Sequence, residues 1–391
     1  MRRVALALAV SALLALSLFS ATGVAASSSR LTITADRASA IPAGHDWSYN
    51  DFFPRTITVH QGATIRFDLQ GFHTATLVPA GVSATSARRS MGLVKADGDD
   101  TTLNPNGSTH IEENLGALFP VPGGCGSAAH PCRFDGSSPV SSGAPLSGPI
   151  PALNVKVTAP VGFYRYLCLI HPNMQGWLAV VPAAFHATTP AELTARVHSQ
   201  VNHDRAAGFA AEAAANVARS HLNSNGTRTW IMTAGTSSPD GYVAVNEMLP
   251  RKLSIHRGDQ VTWVSRGVNE PHTVTFPTDL HTDMAALCES GSVDIPATPT
   301  VMPPTGPQDF TCSGPPVEVE LDGGNGITHV TSKATIADSG IIASSAELSG
   351  FGLPSTAAKA RATVSFAGAS RTTYHYVCQI HQGMDGTIIV H

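Results

Sequence analysis

Two stretches of this chain carry the same three donor types at the same spacing. The first is Tyr164-Arg165-Tyr166-Leu167-Cys168-Leu169-Ile170-His171-Pro172-Asn173-Met174-Gln175-Gly176. The second is Tyr374-His375-Tyr376-Val377-Cys378-Gln379-Ile380-His381-Gln382-Gly383-Met384-Asp385-Gly386. Each contains a Cys-x2-His-x2-Met run, which sets a thiolate, an imidazole and a thioether on one short loop. One further imidazole would complete a trigonal His2Cys set with a weak axial Met, the donor set of a blue copper electron-transfer site. Each half offers that imidazole upstream, His73 in Phe72-His73-Thr74 and His272 in Pro271-His272-Thr273. The expected ligands are His73, Cys168, His171 and Met174 for one site, and His272, Cys378, His381 and Met384 for the other. Copper binds only the deprotonated sulfur, and a metal lowers the thiol pKa enough to supply it. A buried Cys near a Met is ordinarily core packing, but here the spacing occurs twice with an upstream His each time. Zinc also accepts Cys and His; Met is a poor ligand for it, so copper is favoured.

Both halves resemble cupredoxins, the plastocyanin- and azurin-like blue copper domains, and the short Cys-x2-His-x2-Met loop is most similar to the amicyanin type. The resemblance covers roughly residues 48–182 and 228–391, less a long insertion in each half. It implies an all-β fold of two cupredoxin-like Greek-key β-sandwiches in tandem, with two type 1 copper sites. It also implies that the loop histidines, His171 and His381, lie nearest the surface and serve as electron ports toward a redox partner protein.

The elements that must position these donors are legible as strands. Tyr164 and Tyr166, like Tyr374 and Tyr376, alternate before each Cys as a half-buried strand would. Trp177-Leu178-Ala179-Val180-Val181 and Thr387-Ile388-Ile389-Val390 follow each loop as a final strand, and Gly176 and Gly386 suit the return into it. An internal repeat precedes each upstream His: Pro54 to Phe67 and Pro250 to Trp263 both read as strand, Gly turn, strand, and resemble the cupredoxin hairpin that leads to the first His ligand. His60 and His256 match within this repeat and are expected to be exposed loop histidines. Thr227 to Met232 reads as the first strand of the second half, with Arg30 to Thr34 as its counterpart.

The expected organisation is a signal peptide over 1–26, a first cupredoxin-like domain over 27–182, a helical connector over 183–226 and a second such domain over 227–391. Arg2-Arg3, the apolar run Val4 to Phe19 and Val24-Ala25-Ala26 form the n-region, h-region and small-residue cleavage site of an export signal. The run is about sixteen residues, short for a membrane span. The mature chain is therefore expected outside the cytoplasm, secreted or in the cell envelope. In the connector, Thr189-Pro190-Ala191-Glu192 is a capping box with Pro at the first helical position. Leu193, Val197, Val201, Phe209, Ala213 and Val217 recur on one drifting face, predicting a helix to about Leu222, bent near Gly208 and ended by Asn223-Ser224-Asn225-Gly226. His198, His203 and His221 on or near it lack metal-pair spacing.

Long insertions, roughly 79–153 and 277–360, separate each upstream His from its Cys loop. Each is rich in Gly, Pro, Ser and Thr and holds its own Cys pair, Cys125 with Cys132 and Cys288 with Cys312, expected as disulfides in an exported protein. A Cys168–Cys378 bridge would waste both loops. The insertions read equally as decoration or as a lid or docking surface beside the metal. Of the 391 residues 13% are charged and the net charge is -4, with no basic run, so nucleic-acid binding is not indicated.

Three functions fit the donors: electron transfer, copper carriage or storage in the envelope, and copper-dependent catalysis. Multicopper oxidases need His-x-His pairs and a His beside the Cys, and neither occurs. A nitrite-reductase-like interdomain copper would need further histidines. His45, His110, His130, His281, His329 and His375 are available, without clustering in the sequence. An electron carrier is therefore preferred to an enzyme.

Overall fold

The computed structural model describes residues 31–92, 94–96, 103, 107–109, 111–114, 124–143, 152–278, 284–288, 291–294, 318–321, 324–381 and 383–391. The expected signal peptide lies outside the described residues. The described strands form five sheets, with three α-helices: α1 (Ala84–Met91), α2 (Pro190–Ala215) and α3 (Ser345–Phe351). The fold is all-β and built from sandwiches.

In the first half, Leu31–Ala35, Phe52–Phe53, Thr64–Leu69, Cys132–Phe134 and Leu153–Val157 make one sheet. Thr56–His60, Thr76–Val78, Val140–Ser141, Gly162–Leu167 and Gln175–Val181 make the facing one. Between them Ile33, Ile57, Ile65, Phe67, Leu77, Val155, Tyr166 and Leu178 are fully buried. The second half repeats the plan, with Arg228–Ser237, Gln260–Arg266 and Arg361–Ser365 facing Lys252–Ile255, Thr373–Val377 and Asp385–Val390 around Trp263, Phe276 and Tyr376.

The two segments before each upstream His do form strands, but they are not a hairpin. Thr56–His60 pairs in parallel with Gln175–Val181 in one sheet, whereas Thr64–Leu69 pairs in parallel with Leu31–Ala35 in the other. The Gly62 turn, at φ 90°, carries the chain across the sandwich, and Gly258, at φ 101°, does so in the second half. Alternation buries one face of each strand in either pairing, so sequence periodicity could not tell a hairpin from a crossover. His256 is exposed, as expected; His60 is half-buried, with Nε2 2.9 Å from the Phe185 carbonyl.

The connector helix begins as predicted, with Thr189 and Glu192 forming the capping box. It ends at Ala215, earlier than expected, because Arg219–Leu222 instead pairs antiparallel with Arg228–Ser237. Asn223 and Gly226, the expected helix stop, close that hairpin: Asn223 N donates to Thr227 O at 2.8 Å and Gly226 takes φ 81°. The helix runs unbroken through Gly208. That glycine permits contact with Trp47, whose ring would lie 2.7 Å from an added Cβ. The helix buries Val197, Val201 and Ala215 against Trp47, Tyr49, Val243 and Leu249. On the same face Asp204 is buried and paired with Arg55 at 2.6 Å.

The halves share structure. Trp47–Tyr49 from the first half pairs with Val243–Leu249 of the second. The insertions also meet: Ile111–Asn114 of the first pairs antiparallel with Glu318–Leu321 of the second, within a sheet completed by Val94–Ala96, Met284–Cys288 and Gly291–Asp294. Cys125 and Cys132 form the expected disulfide. The expected Cys288–Cys312 bridge lies outside the described residues. No described helix is long and apolar enough to cross a membrane.

Candidate metal centres

Each Cys lies just beyond the strand whose alternating tyrosines point into the core, and each loop turns back through a left-handed residue before Met. That residue is Asn173 at φ 69° in the first loop and Gly383 at φ 85° in the second. The loop closes on itself by a backbone hydrogen bond, Cys168 N to Met174 O at 3.0 Å and Cys378 N to Met384 O at 2.9 Å. The glycine two residues past each Met is required by close packing. An added Cβ on Gly176 would fall into the Tyr166 ring, and one on Gly386 into the Tyr376 ring.

These constraints gather the donors. In the first site His73 Nδ1 lies 3.0 Å from His171 Nδ1, which lies 3.6 Å from Cys168 Sγ. In the second, His272 Nδ1 lies 3.2 Å from His381 Nδ1, and Cys378 Sγ lies 3.6 Å from His381 Nδ1 and 4.0 Å from His272 Nδ1. Met174 and Met384 are buried. Cys168 and Cys378 are both free thiols, so the bridge between them does not form. The threonine after each upstream His holds the sulfur in place. Thr74 N donates to Cys168 Sγ at 3.4 Å and Thr273 N to Cys378 Sγ at 3.3 Å, and their hydroxyls accept from Leu169 N and Gln379 N.

The sulfur and the imidazoles of each site favour one another's charged forms. Burial alone would raise both thiol pKa values, but the adjoining imidazoles outweigh it and hold both thiols well below their usual range. The thiolates in turn favour imidazolium. Burial opposes charge on His73 and His381, yet Asp36 and Cys168 push His73 up to about 10, and Cys378 and Glu270 push His381 up to about 10. Burial lowers His272, helped by the neighbouring His381. A thiolate ringed by imidazoles whose Nδ1 atoms face one another is the arrangement a soft, copper-type cation would fill.

The environments differ behind the upstream imidazoles. His73 Nε2 faces Asp36 Oδ2 at 3.7 Å, whereas His272 Nε2 has no hydrogen-bond partner and is pressed on Gly235, whose φ of 68° leaves no room for a Cβ.

Several functional neighbours carried no signal in the sequence. Arg88, buried on α1 in the first insertion, donates from Nε to Cys168 O at 3.0 Å and from Nη2 to Met174 O at 3.2 Å, clamping both ends of the first loop. Gly350 of α3, in the second insertion, packs on Pro172 of the same loop. The described parts of the insertions thus cover the first loop rather than decorate a distant face. Glu270, two residues before His272, reaches both loop imidazoles: its Oε1 is 3.2 Å from His171 Nε2 and its Oε2 is 3.3 Å from His381 Nε2. Burial would raise its pKa, but these two imidazoles and Asn50 bring it well below the carboxylate range.

This corrects the expectation that the loop histidines lie at the surface. His171 is 6% exposed and the His381 side chain 15%, because the two loops face each other across Glu270. Of the further histidines, His45 Nδ1 lies 2.7 Å from Glu212 Oε2, beside Glu247. His130, His329 and His375 are exposed, and His110 and His281 lie outside the described residues. Among the described residues, the two remaining groupings of potential ligands hold one imidazole each.

No protein-family model matches the sequence, and no curated protein matches it. Among solved structures the chain is similar to auracyanin A, a "blue" copper protein from Chloroflexus aurantiacus, at 20% identity over 39% of this chain and 98% of that one, with a TM-score of 0.23. It is also similar to the blue copper oxidase of Nitrosomonas europaea, at 10% identity over 92% and 85% of the two chains, with a TM-score of 0.17. A third similarity is to the copper nitrite reductase of Nitrosomonas europaea, at 11% identity over 93% of each chain, with a TM-score of 0.16.

Proposed function

We propose that this chain is an exported electron-transfer protein holding one copper in each half. His73, Cys168, His171 and Met174 would hold the first, and His272, Cys378, His381 and Met384 the second. Bound copper would supply a one-electron Cu(II)/Cu(I) couple at each site. The observation that carries the reading is the convergence, twice, of one thiolate and two imidazole Nδ1 atoms on a loop closed at a buried Met. The chain's own groups do the rest. Backbone N–H donors and threonine hydroxyls fix the sulfur before metal arrives, so little must move between oxidation states. The burial of the donor side chains, with only His381 partly open to solvent, keeps water from the donors and disfavours the quick release a copper carrier needs. A redox partner protein would have to exchange electrons with a pair of sites enclosed between the halves.

Copper titration of the mature protein, with metal count and visible absorption, tests the reading. Two coppers per chain and an intense thiolate-to-copper band are expected, and Cys168→Ser should remove one copper and leave the other. Preference for zinc, or copper without the blue band, would reject electron transfer and favour a structural or storage role.

A further inference from the structure

Glu270 belongs to the second half by sequence and to both sites by geometry. It is 7% exposed, and it stands between His171 Nε2 at 3.2 Å and His381 Nε2 at 3.3 Å. A third contact fixes its orientation: Asn50 Nδ2, wholly buried, donates to Oε1 at 2.8 Å. In each site the Nδ1 atoms face the sulfur and each other, which leaves the loop imidazole's Nε2 to carry the proton toward Glu270. One carboxylate therefore accepts from two ring N–H groups that belong to different sites. An outer carboxylate on a ligating imidazole fixes its tautomer and orientation and raises its basicity as a donor.

We propose that Glu270 is the positioning residue common to both sites, and that through it the two sites act as one coupled pair. The proposal rests on the copper reading above and deepens it. A change of charge at one site alters the pull of its imidazole N–H on the shared carboxylate, and the other imidazole feels the difference. The same carboxylate supplies a direct polar connection between the two loops, imidazole to oxygen on either side.

An amide cannot replace this group at both ends. In Glu270→Gln the amide oxygen stays where Asn50 and His171 donate to it, and the NH2 turns to the N–H of His381, donor against donor. The first loop imidazole keeps its acceptor and the second loses it.

The test uses the full chain loaded with Cu(II), in the wild type and in Glu270→Gln, with spectroelectrochemical titration and electron paramagnetic resonance. Cys168→Ser and Cys378→Ser backgrounds assign the signals. If the wild type fails to bind two blue coppers, the copper reading itself falls. Given two, Glu270→Gln should retain both, raise both potentials because a buried negative charge is gone, and alter the copper hyperfine signature of the second site while sparing the first. Potentials and both signatures identical to the wild type would overturn the proposal. Should the variant not fold, proton exchange in the Cu(I)-loaded wild type decides. The Nε2–H protons of His171 and His381 should both exchange at least tenfold more slowly than that of exposed His256, and rapid exchange of either overturns the proposal.

Discussion

At the scale of single residues, both sites use the same tools with different surroundings. The thioethers of Met174 and Met384 are each carried on a loop whose backbone is closed at the Met itself. Replacing Met174 by Leu should leave copper bound by the thiolate and two imidazoles and raise the first site's potential, since a weak donor to Cu(II) is lost. Cyclic voltammetry of the variant checks this, and complete loss of copper would contradict an axial role. The upstream imidazoles offer a second contrast. His73 is backed by Asp36, whereas His272 has no partner on Nε2. A carboxylate behind a ligating imidazole stabilises the more positive metal state. Asp36→Asn should therefore raise the potential of the first site and leave the second unmoved. A shift in both, or in neither, would show that Asp36 does not act through His73. Cys168, Cys378, both loop histidines and both upstream histidines were legible from types and spacing. Asp36, Arg88 and Glu270 were not, since single charged residues far from the loops are indistinguishable in sequence from solvated ones.

At the scale of elements, the loops are held from outside the strands that bear them. Helix α1 has no metal donor, yet its buried Arg88 ties together the two carbonyls at the ends of the first loop. Hydrogen bonds from charged groups contribute roughly 1.5–3 kcal/mol each. Arg88→Met should destabilise the protein by roughly that amount per bond lost and broaden the first site's spectrum, while the second site keeps its own. Thermal unfolding and site-resolved paramagnetic resonance measure the two effects. The connector helix shows where pattern reasoning fails. Its cap was readable because a capping box is a local, four-residue device. Its end was not, because Arg219–Leu222 gains a strand partner that only tertiary packing brings near. The crossover at Gly62 and Gly258 escaped for the same reason: alternation reports a buried face and not which sheet supplies it.

At the scale of the whole molecule, the halves are joined through strand, sheet and core. Trp47–Tyr49 crosses into the other half's sheet, the insertions share a sheet, and Ile380 packs against both hydrophobic cores. Helix α3 locks this junction. Its Glu347 caps Ser344 and accepts from Ser265 Oγ at 2.9 Å, with no solvent exposure. Burial raises this carboxyl to about 7, against hydrogen bonds from Ser344 and Ser265 that lower it. Between its ordinary value of 4.5 and about 7, the unfolded chain gives up a proton that the folded chain keeps. Stability should therefore fall as pH rises through that window, by about 1.4 kcal/mol per unit and roughly 3 kcal/mol in total, and then level off. Denaturant unfolding of the metal-free protein from pH 4.5 to 8 tests this. Glu347→Gln should flatten this contribution, and an unchanged slope would assign the dependence to other groups.

By itself the sequence determined the candidate donors, their pairing with an upstream imidazole, the strands on either side of each loop and the all-β class. All of these follow from local chemistry and local periodicity, which a few neighbouring residues specify. Only the tertiary structure decided that the two loops face each other instead of solvent. Glu270 and Asn50 meet at that junction through contacts between segments scores of residues apart, and both loop imidazoles close on the shared carboxylate. A buried carboxylate is tolerated there because two imidazoles and an amide satisfy it, and nothing in the spacing of those residues along the chain announces that they meet.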